Sequence, residues 1–129
     1  SAKKKIYHSL FASHLNYMVT IWGNASDTVI KPIQTIQNRM IRNIFGFDRL
    51  HNRVDMYNKI THENILPIRA MNFLNTASFV YACTKRTIHS NITFERNQGK
   101  RNRVALRSAS AKNNFGRKDI QHFGANIYN

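Results

Sequence analysis

The chain has 129 residues, 42% of them hydrophobic, enough for one domain with a modest core. Twenty basic residues against six acidic ones leave a net charge of +14, far beyond what solubility requires, and such a surface attracts RNA, DNA or anionic lipid. A single cysteine, Cys83, excludes an intrachain disulfide framework and a cysteine-rich zinc site, and fits a reducing compartment, nucleus or cytoplasm.

Residues 4–22, "KKIYHSLFASHLNYMVTIW", predict a first helix. Ile6, Leu10, Phe11, Leu15, Tyr17, Met18, Ile21 and Trp22 cover about half its circumference, wide enough for a helix central to the core. His14 falls on that apolar arc, about 80° from Ile6 at roughly 100° per residue, and reads as a hydrogen-bonded core histidine rather than a ligand. Polar His8, Ser9, Ser13 and His14 interrupt the apolar run behind "SAKKK", which argues against a secretory leader there. Gly23 supplies a stop.

"NASDT" offers N-cap candidates for a second helix over 27–45, and Gly46 ends it. Pro32 is tolerated if the helix starts near Thr28 or later and otherwise kinks its first turn. Ile33, Ile36, Met40, Ile41 and Ile44 share one arc, and Gln37 sits in the middle of it. A buried amide must find partners. Gln37 is therefore expected to bond across the helix interface, to His14 or a backbone carbonyl, pinning the second helix on the first; the other reading is a groove-facing Gln37 that touches nucleic acid.

A short third helix is predicted over about 49–60, with a boundary at Pro67. A fourth is predicted over 68–88, where Met71, Leu74, Ser78 and Tyr81 follow helical spacing. No stretch is apolar for long enough to span a bilayer. After His89 the chain is poor in apolar residues and rich in turn formers, and from Arg96 to Lys118 it carries eight basic residues and no acid. The segment "FGRKDIQHFGANIY" regains apolar residues and is expected to dock as extended chain. The expected fold is all-α: a small bundle of about four helices over 1–89, followed by a basic, partly extended tail over 90–129.

Catalytic constellations are absent from the sequence. Asp27, Asp48, Asp55, Glu63, Glu95 and Asp119 form no DxD or DD pair, which argues against a two-metal phosphoryl-transfer site within the chain. The six histidines show neither HExxH nor finger spacing, and no glycine-rich phosphate loop or nucleophile elbow occurs. No catalytic residue, metal site or cofactor is assigned. Cys83 lies in an apolar helix and reads as packed.

The basic set is the strongest signal. Lys31, Arg39 and Arg42 share one face of the second helix, spaced to meet neighbouring phosphates. Lys3, Lys4 and Lys5 form a second cluster, and Lys85 with Arg86 a third. Arg96, Lys100, Arg101, Arg103, Arg107, Lys112, Arg117 and Lys118 form the tail set, with Phe94, Phe115 and Phe123 better read as core anchors than as base-stacking platforms.

Three tracts, "IYHSLFASHLNYMVTIWGNAS", "IKPIQTIQNRMIRNIFG" and "ILPIRAMNFLNTASFVYA", resemble the C-terminal region of non-LTR, LINE-type, jockey-like retrotransposon reverse transcriptases. Tyr7, Ser9, Leu10, Ser13, His14, Leu15, Tyr17, Trp22 and Gly23 match the family's first tract. Ile33, Gln34, Gln37, Arg39, Ile41, Arg42, Ile44 and Gly46 match its following helix, and Ile65–Pro67 its "iLP". Gly116, Asp119, Ile120 and Gly124 resemble its terminal glycine pattern, with aspartate where serine is usual, and Tyr128-Asn129 stands where Trp-Asn is usual. The resemblance implies a helical thumb and tail without the upstream palm and its Tyr-x-Asp-Asp motif. It also implies RNA or DNA as partner, as template–primer duplex or structured RNA, beside an upstream palm, and no membrane. The function expected from residues and resemblance together is non-catalytic gripping of a nucleic-acid backbone, the parent protein being an RNA-directed DNA polymerase. The competing expectation is a protein-interaction or structural module.

Overall fold

The computed structural model describes residues 2–48, 50–88, 90–98 and 104–129. Helices predominate: α1 (Ala2–Ile6), a π-helical segment (Tyr7–Ala12), α2 (Ser13–Asn16), α3 (Val19–Trp22), α4 (Asp27–Phe45), α5 (Arg53–His62), α6 (Ile68–Thr84), α7 (Asn114–Arg117) and α8 (Ile120–Tyr128), with two short strands, β1 (Arg96–Gln98) and β2 (Val104–Leu106). The chain divides into two compact units, one running to Val19 and resuming over Ala25–Met71, the other made of Thr20–Asn24 and Asn72–Asn129.

In the first unit the N-terminal helix departs from the ideal wheel. A π turn closes i→i+5 bonds and so holds one residue more than an α turn. Residues five apart then share a face, and Tyr7 and Ala12 are both buried. The helix also breaks earlier than Trp22. Tyr17 is extended and Met18 takes a left-handed φ of 50° before α3 begins. The two departures overturn the expected arc, because Ile6, Leu10, Tyr17, Met18 and Ile21 are exposed. His14 turns outward with them: it is exposed, and its Nδ1 meets the Leu10 carbonyl of its own helix.

Helix α4 spans the predicted residues, with Pro32 inside its second turn. It stops where Gly46 adopts φ 70°, a conformation that costs an L-residue about 1–2 kcal/mol. The N–H groups of Gly46 and Phe47 both reach the Arg42 carbonyl, the latter at 2.9 Å. Helix α5 starts later than predicted, because the Asn52 side chain caps it by accepting the Val54 N–H at 3.2 Å. Tyr7, Ala12, Ile41, Met56, Ile60 and Ile65 form the core of this unit, with Phe11, Met40, Ile44, Phe45 and Phe47 packed around it.

Gln37 is fully buried in that setting. Its Nε2 donates to the Tyr7 hydroxyl at 3.0 Å and to the Leu66 carbonyl at 2.9 Å. Its Oε1 accepts from Gln34 Nε2 at 2.7 Å, and Gln34 Oε1 in turn accepts the Ile68 N–H at 2.9 Å. The two glutamines thus join α4 to the N-terminal helix and to the "ILPI" backbone, and Gln34 satisfies an amide of the first turn of α6 that no helix bond can serve. A bond across the interface was expected of Gln37. The side-chain partner is Tyr7 in place of His14: the π turn between them parts two residues that an ideal wheel sets about 20° apart, and Tyr7 is the buried one.

On the far side of this core Glu63 pairs with Lys4 and, at 3.5 Å, with Lys59. Both ammonium groups also lie over the Phe45 ring, 5.3 and 5.8 Å from its centroid. The hydrogen bond from Lys4 is the main cause holding the Glu63 carboxyl below its ordinary value of 4.5.

In the second unit α6 ends at Thr84, short of the predicted 88. Arg86 takes φ 55°, and the Thr87 N–H and hydroxyl both reach back to the Ala82 carbonyl, at 3.0 and 3.1 Å. The residues beyond are more structured than an extended tail. Strands β1 and β2 pair antiparallel, Arg96 opposite Leu106. Asp119 caps α8 by accepting the Gln121 N–H at 3.3 Å. The Asn129 amide clasps Leu106 at both its N–H (2.7 Å) and its carbonyl (2.9 Å). Val80, Leu106 and Ala125 form a small core with Phe94 against it. Gly124 permits this approach, for a Cβ there would stand 2.7 Å from Val80 Cγ2. The expectation of an extended docked segment over 115–128 is thereby corrected, because Ile120, Phe123 and Ile127 follow the i, i+3, i+7 spacing of one helix face.

Three substitutions test the first unit. Gln37→Leu preserves size but strands the Leu66 carbonyl, and should cost about 2–4 kcal/mol in urea unfolding. Tyr7→Phe should cost about 1–2 kcal/mol, and the double variant less than the sum. Glu63, with its folded pKa lowered, contributes stability at pH values above 4.5 that is lost as pH falls through its folded value. Glu63→Gln should therefore flatten the acid limb of the stability–pH curve and leave the neutral-to-basic limb unchanged in shape.

Candidate nucleic-acid interface

The basic residues singled out in the sequence have different fates. On α4, Lys31 and Arg39 are exposed, eight residues apart and so separated by about 12 Å along the axis. That is the rise of roughly three to four nucleotides of one B-DNA strand. Arg42, three residues further on, is half-buried, and its Nη1 donates to the Asp48 carbonyl at 2.8 Å. It holds the turn that follows Gly46, a structural task that Lys31 and Arg39 do not share.

Lys85 and Arg86 are exposed just beyond the C-terminus of α6, where positive charge complements the terminal carbonyls. The Lys85 ammonium lies 5.8 Å from the Tyr81 ring centroid. Arg107 is exposed and meets the Glu95 carboxylate at 3.4 Å. Lys112, Arg117 and Lys118 are exposed on and around α7. Arg96 opens β1, and Lys100, Arg101 and Arg103 lie outside the described residues. Phe94 packs into the small core, as an anchor and not as a stacking platform.

The acids explain why so many cations stay free. Asp27 takes Arg69 at 2.7 Å, Glu63 takes Lys4 and Lys59, Glu95 takes Arg107, and Asp119 is spent on the α8 cap. Among the described residues no ion pair reaches Lys31, Arg39, Lys85, Arg86, Lys112, Arg117 or Lys118.

Sequence reasoning missed one association. Lys3 and Arg39 come to the same cleft, of about 370 Å³, between the N-terminal helix and α4. Lys3 Nζ reaches the Asn43 carbonyl at 3.3 Å and its Oδ1 at 3.4 Å. The antiparallel pairing of the two helices carries this contact, and no local pattern announces it. Cys83 is half-buried, and burial is the chief cause pushing its thiol up, so it rests protonated at neutral pH. Among the described residues no group of three or more His, Cys, Asp or Glu is placed to hold a metal ion, and no helix is long and apolar enough to cross a membrane. The chain matches no protein-family model, no curated protein and no solved structure.

Arg39 and Arg42 should therefore behave oppositely. Arg42→Ala removes a bond to a backbone carbonyl and should lower stability by about 1–2 kcal/mol. Arg39→Ala should leave the thermal midpoint within about 2 °C, since a surface change of this kind is worth under about 0.5 kcal/mol. Thermal unfolding of the two variants side by side checks this.

Proposed function

We propose that the chain is a non-catalytic nucleic-acid-binding module of the LINE-type reverse-transcriptase kind, a thumb-and-tail region that grips a template–primer backbone through basic side chains. The observation that carries the reading is the set of exposed lysines and arginines without acidic partners among the described residues, Lys31 and Arg39 on α4 first among them. Such groups neutralise phosphates and release counterions, which favours binding with little base preference.

The resemblance supports the reading from another side. Tyr7, Gln34, Gln37 and the Ile65–Pro67 tract, all positions that match the family pattern, belong to one hydrogen-bonded junction. Polymerase chemistry belongs, on this reading, to a palm outside these residues, and the module works in the nucleus or cytoplasm.

Titration of the chain with an RNA–DNA hybrid duplex at several salt concentrations tests the proposal. Neutralising about five to eight phosphates predicts a log–log slope of roughly −4 to −7. Arg39→Ala and Lys31→Ala should each reduce that slope by about one. A slope near zero removes the proposal, and equal slopes for the variants move the contact off α4.

A further inference from the structure

The cleft between the N-terminal helix and α4 has the wrong chemistry for a phosphate backbone. Its walls are Ile6, Met40 and Ile44, and Tyr7 lies beneath with its hydroxyl already bonded to Gln37. Its cations are Lys3 on one helix and Arg39 on the other, beside the polar Asn43, and none of the lining residues is acidic. Ile6 is 54% exposed, as are its neighbours one turn along each helix, Leu10 (61%) and Ile36 (49%). Nucleic acids bond through phosphate, sugar and base edges, and they leave aliphatic walls in water. A second copy of the chain would bring another +14 against the first.

We propose that this cleft receives an acidic amphipathic helix of a partner protein. Lys3 lies opposite Asn43 and Tyr7 opposite Gln37, so the two helices run antiparallel on either side of the cleft, a furrow that both line. Aliphatic side chains at i, i+4 and i+7 of a third helix enter such a furrow between Ile6 and Met40, in the manner of helix-in-groove recognition. Carboxylates on the flanks of that helix meet Lys3 and Arg39. This gives steering and register more than raw affinity, and it discriminates against basic helices.

The probe is a synthetic helix with leucines at i, i+4 and i+7 and glutamates on both flanks, followed by fluorescence anisotropy against the whole chain. Ile6→Ser should weaken binding about tenfold, equivalent to about 1.4 kcal/mol of aliphatic contact. It should leave duplex binding unchanged, so the two proposals fail separately. Arg39→Glu should weaken the glutamate-flanked helix and favour a lysine-flanked one. Ile6 and Arg39 are exposed, so both variants should fold, with circular dichroism as the check. Equal binding of lysine-flanked or leucine-to-alanine helices to the unsubstituted chain overturns the proposal. So does indifference to both substitutions. Ile6-dependent binding of phosphatidylserine vesicles without binding of the acidic helix replaces the occupant with lipid and overturns it as well.

Discussion

A buried amide that must be fully satisfied governs the first unit. Transferring an unpaired amide from water costs several times what a single surface contact gains. Gln37, with no exposure, is tolerable only because the Tyr7 hydroxyl, the Leu66 carbonyl and the Gln34 amide converge on it. That condition fixes three things together: the rotation of the N-terminal helix, the phase of α4, and the path of the chain through Pro67 into α6. Apolar packing of Ile41, Met56 and Ile60 supplies most of the driving force but tolerates sliding. The amide network does not, because each displaced bond leaves a stranded polar atom.

This view accounts for what could be read in the sequence and what could not. The polar residue on an apolar stripe announced a partner across an interface, and α4 showed its own boundaries through Gly46 and its periodicity. On an ideal wheel of roughly 100° per residue Tyr7 and His14 fall about 20° apart, so periodicity could not choose between them as the partner. The π turn over Tyr7–Ala12 adds a residue between them and breaks that coincidence, so that Tyr7 is buried and His14 exposed. In the tail, charge dominated the reading and obscured structure. Asp119, Gly124 and Asn129 each perform a local task, a cap, a close approach and a clasp on β2, that no run of basic residues reveals.

Electrostatics then acts on this frame by subtraction. With only six acids, each structural use removes a counter-charge from the surface. Glu63 holds Lys4 and Lys59 over Phe45, and Asp27 holds Arg69, whose guanidinium also reaches the Ala25 carbonyl at 2.9 Å. The folded chain therefore keeps a surplus of cations whose mutual repulsion opposes compaction. A bound polyanion or acidic helix relieves that repulsion and, by linkage, stabilises whichever unit it touches.

The division of labour among the arginines of α4 shows how far such reasoning reaches. Arg39 and Arg42 lie three residues apart on one helix and carry the same charge. The difference lies in where the chain goes after Gly46. Its left-handed turn brings the Asp48 carbonyl to 2.8 Å from the Arg42 guanidinium, and the side chain becomes part of the helix stop. Its partner is a backbone oxygen, which every residue possesses and no sequence pattern marks. Arg39 meets no such turn and lines the cleft with Lys3. Residue type sets the inventory of charges, but the geometry of one glycine decides which of them is free to meet a partner.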